Sequence, residues 1–364
     1  MKTYRVAVIG RTGRGDYGHG LDTVWLNNDR AEIVAVADED EKGRAAAAAR
    51  LKAPRAYADF REMLAKEKPQ IVSVACRFLD PHRDMVVACA EAGASVFLEK
   101  PICPTLQAAD EMVAACDKHH VKCAIAHQTR YSPRLKLVRD LIAEGKLGEL
   151  LEMRGRGKED TRGGGQDLMV LGTHILDLMR LIAGDCRWAF ARVWANGKKA
   201  MPGDVRQGGE GMGPIQGDRI AATYGFDNGV VGTFGTYKAK EGVGRRFALH
   251  VFGSKGVITM NTGSLPAVYW LDDPSWAGSS KATWQPITSA GVGKPEPLKD
   301  GGADLANRLI VADLMEAIEQ DREPLGSLRD GRAALEMILA VYESHKLDRP
   351  VDLPLKNRRH PLGP

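Results

Sequence analysis

Residues 4–20 read YRVAVIGRTGRGDYGHG. A β-branched apolar run, Tyr4–Ile9, stops at Gly10 and gives way to a loop with further glycines at 13, 15, 18 and 20. The run reads as a strand. The glycines allow a tight turn and close backbone approach to a pyrophosphate, which the N-terminus of a following helix is expected to stabilise. Two registers fit the dinucleotide-binding spacing. Counting from the strand end gives Gly10, Thr12 and Gly15, with Thr in the middle position. Counting three glycines gives Gly13, Gly15 and Gly18, three residues late. Glu32–Ala37 (EIVAVA) is a second strand that ends on Asp38, where an acid either binds both ribose hydroxyls of NAD or caps the next helix. Glu39, Asp40 and Glu41 follow and oppose a 2′-phosphate, so NAD is expected over NADP; Arg11, Arg14 and Lys42 argue the other way.

Outward from this stretch, strand and helix patterns alternate. Helices are predicted over 40–51, 59–66, 81–92 and 106–119, and strands over 70–75, 95–98 and 121–126. That alternation implies parallel βαβ units in a doubly wound α/β domain. After a helix at 133–144 the rhythm changes. Strands are predicted at 150–155, 188–195, 220–226, 230–236, 247–252 and 257–260, separated by turn signals such as Asp227-Asn228-Gly229 and Ser254-Lys255-Gly256. One helix, 172–182, interrupts them, two more close the chain at 305–319 and 329–347, and Lys199–Gly217 reads as a mobile Gly-rich loop. The second domain is therefore α+β with a large, mainly antiparallel open sheet, and the boundaries are set at 1–128 and 129–364, with closing helices able to return to the first domain.

The 364 residues carry a net charge of +4 with acidic and basic residues interleaved, which speaks against a nucleic-acid partner. The basic tail Lys356-Asn357-Arg358-Arg359 is read as solvated. No apolar stretch approaches membrane-spanning length, and the first strand begins at Tyr4, so neither a leader nor a membrane partner is expected. The six cysteines lack a secreted spacing and suggest a reduced, cytoplasmic protein. Cys116, His119, His120 and Cys123 are read as packing residues, with no metal expected.

Glu99-Lys100-Pro101 follows the fifth strand, at the carboxyl edge where such sheets hold ligands. Gly163-Gly164-Gly165 and then Gly172-Thr173-His174 with Asp177 open the lone helix of the second domain. With Pro81-His82 and His127-Gln128-Thr129-Arg130-Tyr131-Ser132-Pro133, this combination resembles the Gfo/Idh/MocA family of oxidoreductases, over nearly the whole chain. The resemblance implies a Rossmann first domain in which Gly10, Arg11, Thr12, Gly13, Gly15, Asp38, Arg77, Glu99 and Lys100 contact NAD. It also implies that Lys100 sits between nicotinamide and substrate, that His174 is the acid or base, and that a homodimer or homotetramer forms. Arg130, Tyr131, Gln166 and Asp167 are expected on the substrate side. Chemically, removing hydride from an alcohol carbon requires removing its hydroxyl proton, which a histidine near neutrality can accept while an ammonium holds the oxygen.

Two departures from the family pattern matter. Many members carry Asp four residues before the histidine, where this chain has Val170, so Asp177, one turn after His174, is expected to orient it. Where the family commonly shows Thr-Pro-Asn, this chain has Arg77-Phe78-Leu79; the Arg77 guanidinium either clamps a carboxylate or pairs with Asp80, and the pairing is the expectation preferred. The expected activity is hydride transfer between nicotinamide and a sugar, cyclitol or sugar acid. The alternatives are an enzyme that keeps NAD and oxidises a glycoside transiently, and a non-catalytic sensor of NAD or sugar.

Overall fold

The computed structural model describes residues 2–239 and 246–363, which fall into two compact units. The first comprises residues up to Ala126, together with Gly209–Gly213 and Ala303–Arg332; the second comprises His127–Gly208, Pro214–Gly302 and Ala333 onward.

In the first unit, β1 (Tyr4–Ile9), β2 (Ala31–Ala37), β3 (Ala56–Tyr57), β4 (Ile71–Val74), β5 (Ser95–Leu98) and β6 (Cys123–Ile125) form one parallel sheet in the order β3-β2-β1-β4-β5-β6. Strands covered on both faces should be continuously apolar, and every residue of β4 and β5 is buried. Helices α1 (Glu41–Leu51), α2 (Phe60–Glu67), α3 (His82–Glu91) and α4 (Leu106–Lys118) connect the strands. Asp40, Asp59 and Thr105 cap three of them, accepting from Gly43 N at 2.6 Å, Arg61 N at 2.8 Å and Ala108 N at 3.2 Å. The strand order reverses between β1 and β4, the place where doubly wound sheets hold ligands.

The helix expected after the glycine loop is not there. Between β1 and β2 only a single 3₁₀ turn, Thr23–Trp25, forms. Gly20 takes a left-handed φ of 78° just before it, and the Trp25 indole is drawn beneath the sheet to donate to Ser73 Oγ at 2.7 Å. Too few residues then remain before β2 for a propagating helix.

The second unit is built on β7 (Leu150–Arg156), β8 (Cys186–Ala195), β9 (Lys198–Lys199), β10 (Val205–Gln207), β11 (Pro214–Gln216), β12 (Arg219–Phe226), β13 (Val231–Tyr237), β14 (Ala248–Gly253), β15 (Gly256–Asn261), β16 (Val268–Leu271), β17 (Gln285–Thr288), β18 (Gly291–Val292) and β19 (Val351–Asp352). Apart from β10 and β11, these form one sheet in which β7 and β13 pair in parallel and the remaining neighbours are antiparallel. Its helices are α5 (Pro133–Ala143), α6 (Gly165–Val170) and α7 (Gly172–Ala183); α8 (Ala303–Gln320) belongs to the first unit, and α9 (Leu328–Leu347) begins in the first unit and continues in the second. Helix α7 lies close on the sheet because Gly155 has no side chain; a Cβ there would stand 2.4 Å from Ile175.

Three further expectations are corrected. The single interrupting helix is two, α6 and α7, broken at Leu171. The segment 199–217 contains the antiparallel pair β10–β11 rather than a structureless loop. The basic tail docks on α9: Arg358 reaches Glu336 at 3.1 Å, Asn357 reaches Glu343 at 3.3 Å, and His360 is buried. Among the described residues no helix is long and apolar enough to cross a membrane.

Candidate active site

At the carboxyl end of β1, Gly10 N donates to Ala37 O at 3.0 Å, holding the loop to β2. Residues 11–16 close on themselves: Arg11 N donates to Asp16 O at 3.2 Å, Asp16 N to Arg11 O at 3.0 Å, and Gly13 N to the Asp16 carboxylate at 2.9 Å. Gly15 has φ 89°, and a Cβ there would lie 2.7 Å from Arg77 N, so no other residue fits the close approach of loop and β4 end. Asp38 is buried at the end of β2. It accepts from Thr12 N at 3.1 Å, Thr12 Oγ1 at 2.7 Å and Asp40 N at 3.1 Å. Thr12 N reaches both carboxylate oxygens, so the acid braces the glycine loop.

The nearby arginines are already engaged. Arg11 pairs with Glu39 at 3.2 Å, and Arg44 donates to Asp38 O at 2.8 Å. Arg14 pairs with Asp80 at 2.8 Å. That last pair overturns the expected Arg77–Asp80 contact: Arg77 instead donates from Nε to Gly15 O at 3.2 Å, because the loop carries Arg14 to Asp80 first. A 2′-phosphate would have to break one of these pairs or reach exposed Lys42. The donor set suits a nucleotide with free ribose hydroxyls.

At the end of β5, Glu99 is fully buried, accepts from Lys100 N at 2.6 Å and contacts His19 Nδ1. Burial alone would raise its carboxyl pKa, but His19 and the Lys100 charge outweigh it and hold the group below the ordinary carboxylate range. Lys100 is 7% exposed. Behind it, buried His82 joins β4 to this turn, with Nε2 at 2.8 Å from Cys76 O and Nδ1 at 3.1 Å from Ile102 O. Reading the sequence had noted His82 without a role and had missed His19, whose partner lies 80 residues on.

In the second unit His174 is buried in the first turn of α7. Its ring meets His127 edge-on with centroids 5.4 Å apart, and Phe247 at 5.9 Å. Asp177, one turn on, is engaged by Arg130 Nη1 at 2.6 Å and lies 3.4 Å from His127 Nδ1. Burial opposes its charge, yet Arg130 and His127 hold the carboxyl well below its usual range. Thus Arg130, expected to bind substrate, is a buried counter-ion. Asp167 is also committed: it accepts from Lys158 N at 3.2 Å, Glu159 N at 3.1 Å and the Thr236 hydroxyl, and burial raises its pKa. Tyr131 is buried and Gln166 half-buried, while Val170 is buried among apolar neighbours of α6.

The family model described as "Oxidoreductase family, NAD-binding Rossmann fold" matches residues 4–127, and the one described as "Oxidoreductase family, C-terminal alpha/beta domain" matches 139–353. The chain is similar to D-apiose dehydrogenase of Paraburkholderia graminis, 27% identical across 97% of this chain and 90% of that protein. It is also similar to levoglucosan dehydrogenase of Pseudarthrobacter phenanthrenivorans, 24% identical across 88% and 89%. Among solved structures, levoglucosan dehydrogenase in complex with NADH and levoglucosan superposes with TM-score 0.76 at 19% identity, covering 97% of this chain and 100% of that one.

Proposed function

The chain belongs to the Gfo/Idh/MocA family of oxidoreductases, and we propose that it is an NAD-dependent dehydrogenase or reductase acting on a CH–OH group of a sugar, cyclitol or sugar acid. The observation that carries this reading is that Gly10–Gly15, Asp38 and Glu99-Lys100 follow the carboxyl ends of β1, β2 and β5 in one parallel sheet. Asp38 and Thr12 hold the adenosine ribose, and the glycine loop lies against the pyrophosphate. NAD, when bound, supplies the hydride acceptor. The Lys100 ammonium holds the substrate oxygen and stabilises the negative charge that develops on it. His174 accepts the hydroxyl proton in oxidation and returns it in reduction. Half-buried Gln166, with Tyr131, remains on the substrate side, whereas Arg130 and Asp167 position other groups.

The test is a panel of levoglucosan, myo-inositol, D-apiose and aldonic acids, followed at the nicotinamide absorbance with purified protein and NAD. NADH formed in proportion to substrate supports the reading. Conversion of a glycoside with no net NADH would favour transient oxidation, and binding without conversion would favour a sensor.

A further inference from the structure

We infer that His127 is a positioning residue for His174, standing between it and the buried Asp177 carboxylate. The inference rests on the assignment of His174 as proton acceptor. His127 lies two residues past Ile125, the end of β6, and caps the 3₁₀ turn Gln128–Tyr131, with its ring against the first turn of α7. It is 1% exposed. Its Nε2 lies 3.0 Å from Thr173 Oγ1 and its Nδ1 3.4 Å from Asp177 Oδ1, while its ring edge meets the His174 ring at 61°. With Phe247 also packed against it at 78°, the plane of the His174 imidazole is set by two rings.

Asp177 Oδ1 faces Arg130 Nη1 at 2.6 Å, and His127 Nδ1 stands 3.4 Å from the same oxygen, buried and short of a full hydrogen bond. A bare Nδ1 facing an acceptor-only carboxylate would set lone pair against lone pair, so Nδ1 carries a proton, while Nε2 meets the Thr173 hydroxyl. Asp177 thereby fixes the ring that braces His174. The remaining Asp177 oxygen, Oδ2, is buried without a hydrogen-bond partner in the protein, so the carboxylate keeps negative potential directed at the two histidines. An acid that acts through a second histidine in this way can orient the base although position 170 is valine.

The full chain labelled with ¹⁵N-histidine tests this without a substrate. In the wild type, His127 should show a protonated Nδ1. His127→Phe, which keeps an aromatic edge but no ring nitrogen, should lower the titration midpoint of His174 by about half a pH unit or more. His127→Asn, whose amide can still donate toward Asp177, should recover most of that shift. Where a panel substrate is turned over, His127→Phe should lower kcat about tenfold or more while KM changes little. An unmoved His174 midpoint in a folded His127→Phe protein, or a His127 protonated at Nε2 alone, would overturn the inference. His174→Ala is the control for the underlying reading: if it keeps full turnover, that reading falls, whereas loss in His174→Ala with unchanged His127→Phe sinks only the role of His127.

Discussion

At the residue scale, the groups proposed for chemistry differ from those that hold them. Lys100→Met should leave NAD affinity near wild type and lower kcat about 10²–10³-fold, as expected for an ammonium whose contribution is made in the transition state; calorimetry and steady-state rates separate the two effects. Asp38→Ser should reduce NAD affinity and narrow the preference over NADP, since it removes both the ribose acceptor and the anchor of Thr12; unchanged selectivity by calorimetry would show that other groups discriminate. Asp177 yields a prediction with a definite sign. Its folded carboxyl is held below the unfolded value, so its stabilising contribution is present above the ordinary pKa of about 4 and is lost as pH falls through the folded one. Asp177→Asn, which leaves buried Arg130 without its charge partner, should cost about 3–5 kcal/mol at pH 7. The difference in Tm from wild type should shrink below about pH 4.

At the element scale, the β1–β2 connection sets the terms for cofactor binding. Without an α-helix after the glycines, the loop's own turn and its clamp on Asp38 would have to present the backbone to the pyrophosphate. Gly15→Ala forces a Cβ into a left-handed φ and against the Arg77 backbone, a strain of roughly 1–3 kcal/mol. The expected result is at least about a tenfold rise in the NAD Kd with the rest of the fold intact by circular dichroism. Helix starts were legible because a cap bonds an amide two or three residues away, as Asp40, Asp59 and Thr105 do. The β10–β11 pair was not, because each strand is only three residues long, the segment between them is glycine-rich, and the register depends on pairing Val205 with Gln216.

At the scale of the whole molecule, the chain returns twice to its first unit, through Gly209–Gly213 and again through α8 and the start of α9. Tyr4 Oη donates to Glu319 at 3.2 Å and Arg329 pairs with Asp117 at 2.6 Å, so the first unit is completed only by late residues. The second unit's sheet has Gly155, Met153 and Ala191 on the inward side, while Trp188, Phe190, Arg192 and Trp194 of β8 alternate to the other side and stay half-exposed. A partly exposed aromatic face of this kind supports the proposed homo-oligomer. Phe190→Glu should lower the mass measured by light scattering; a monomeric wild type would end that proposal.

What the sequence determined by itself is local. Strand and helix identity follow from the period of apolar residues, the turns from Asn228-Gly229 and Lys255, and the candidate residues Lys100 and His174 from Glu99-Lys100-Pro101 and Gly172-Thr173-His174. Each of these signals is carried by residues a few positions apart, and spacing alone preserves them. Only the tertiary structure decided the pairings: Arg14 rather than Arg77 on Asp80, His19 on Glu99, Arg130 and His127 on Asp177. Those partners lie about 50 to 80 residues apart, and several candidates of the right charge compete for each carboxylate. Which one wins is set by where the sheet and its loops place the side chains, because a charge contact falls off within a few ångströms while sequence distance says nothing about separation in space.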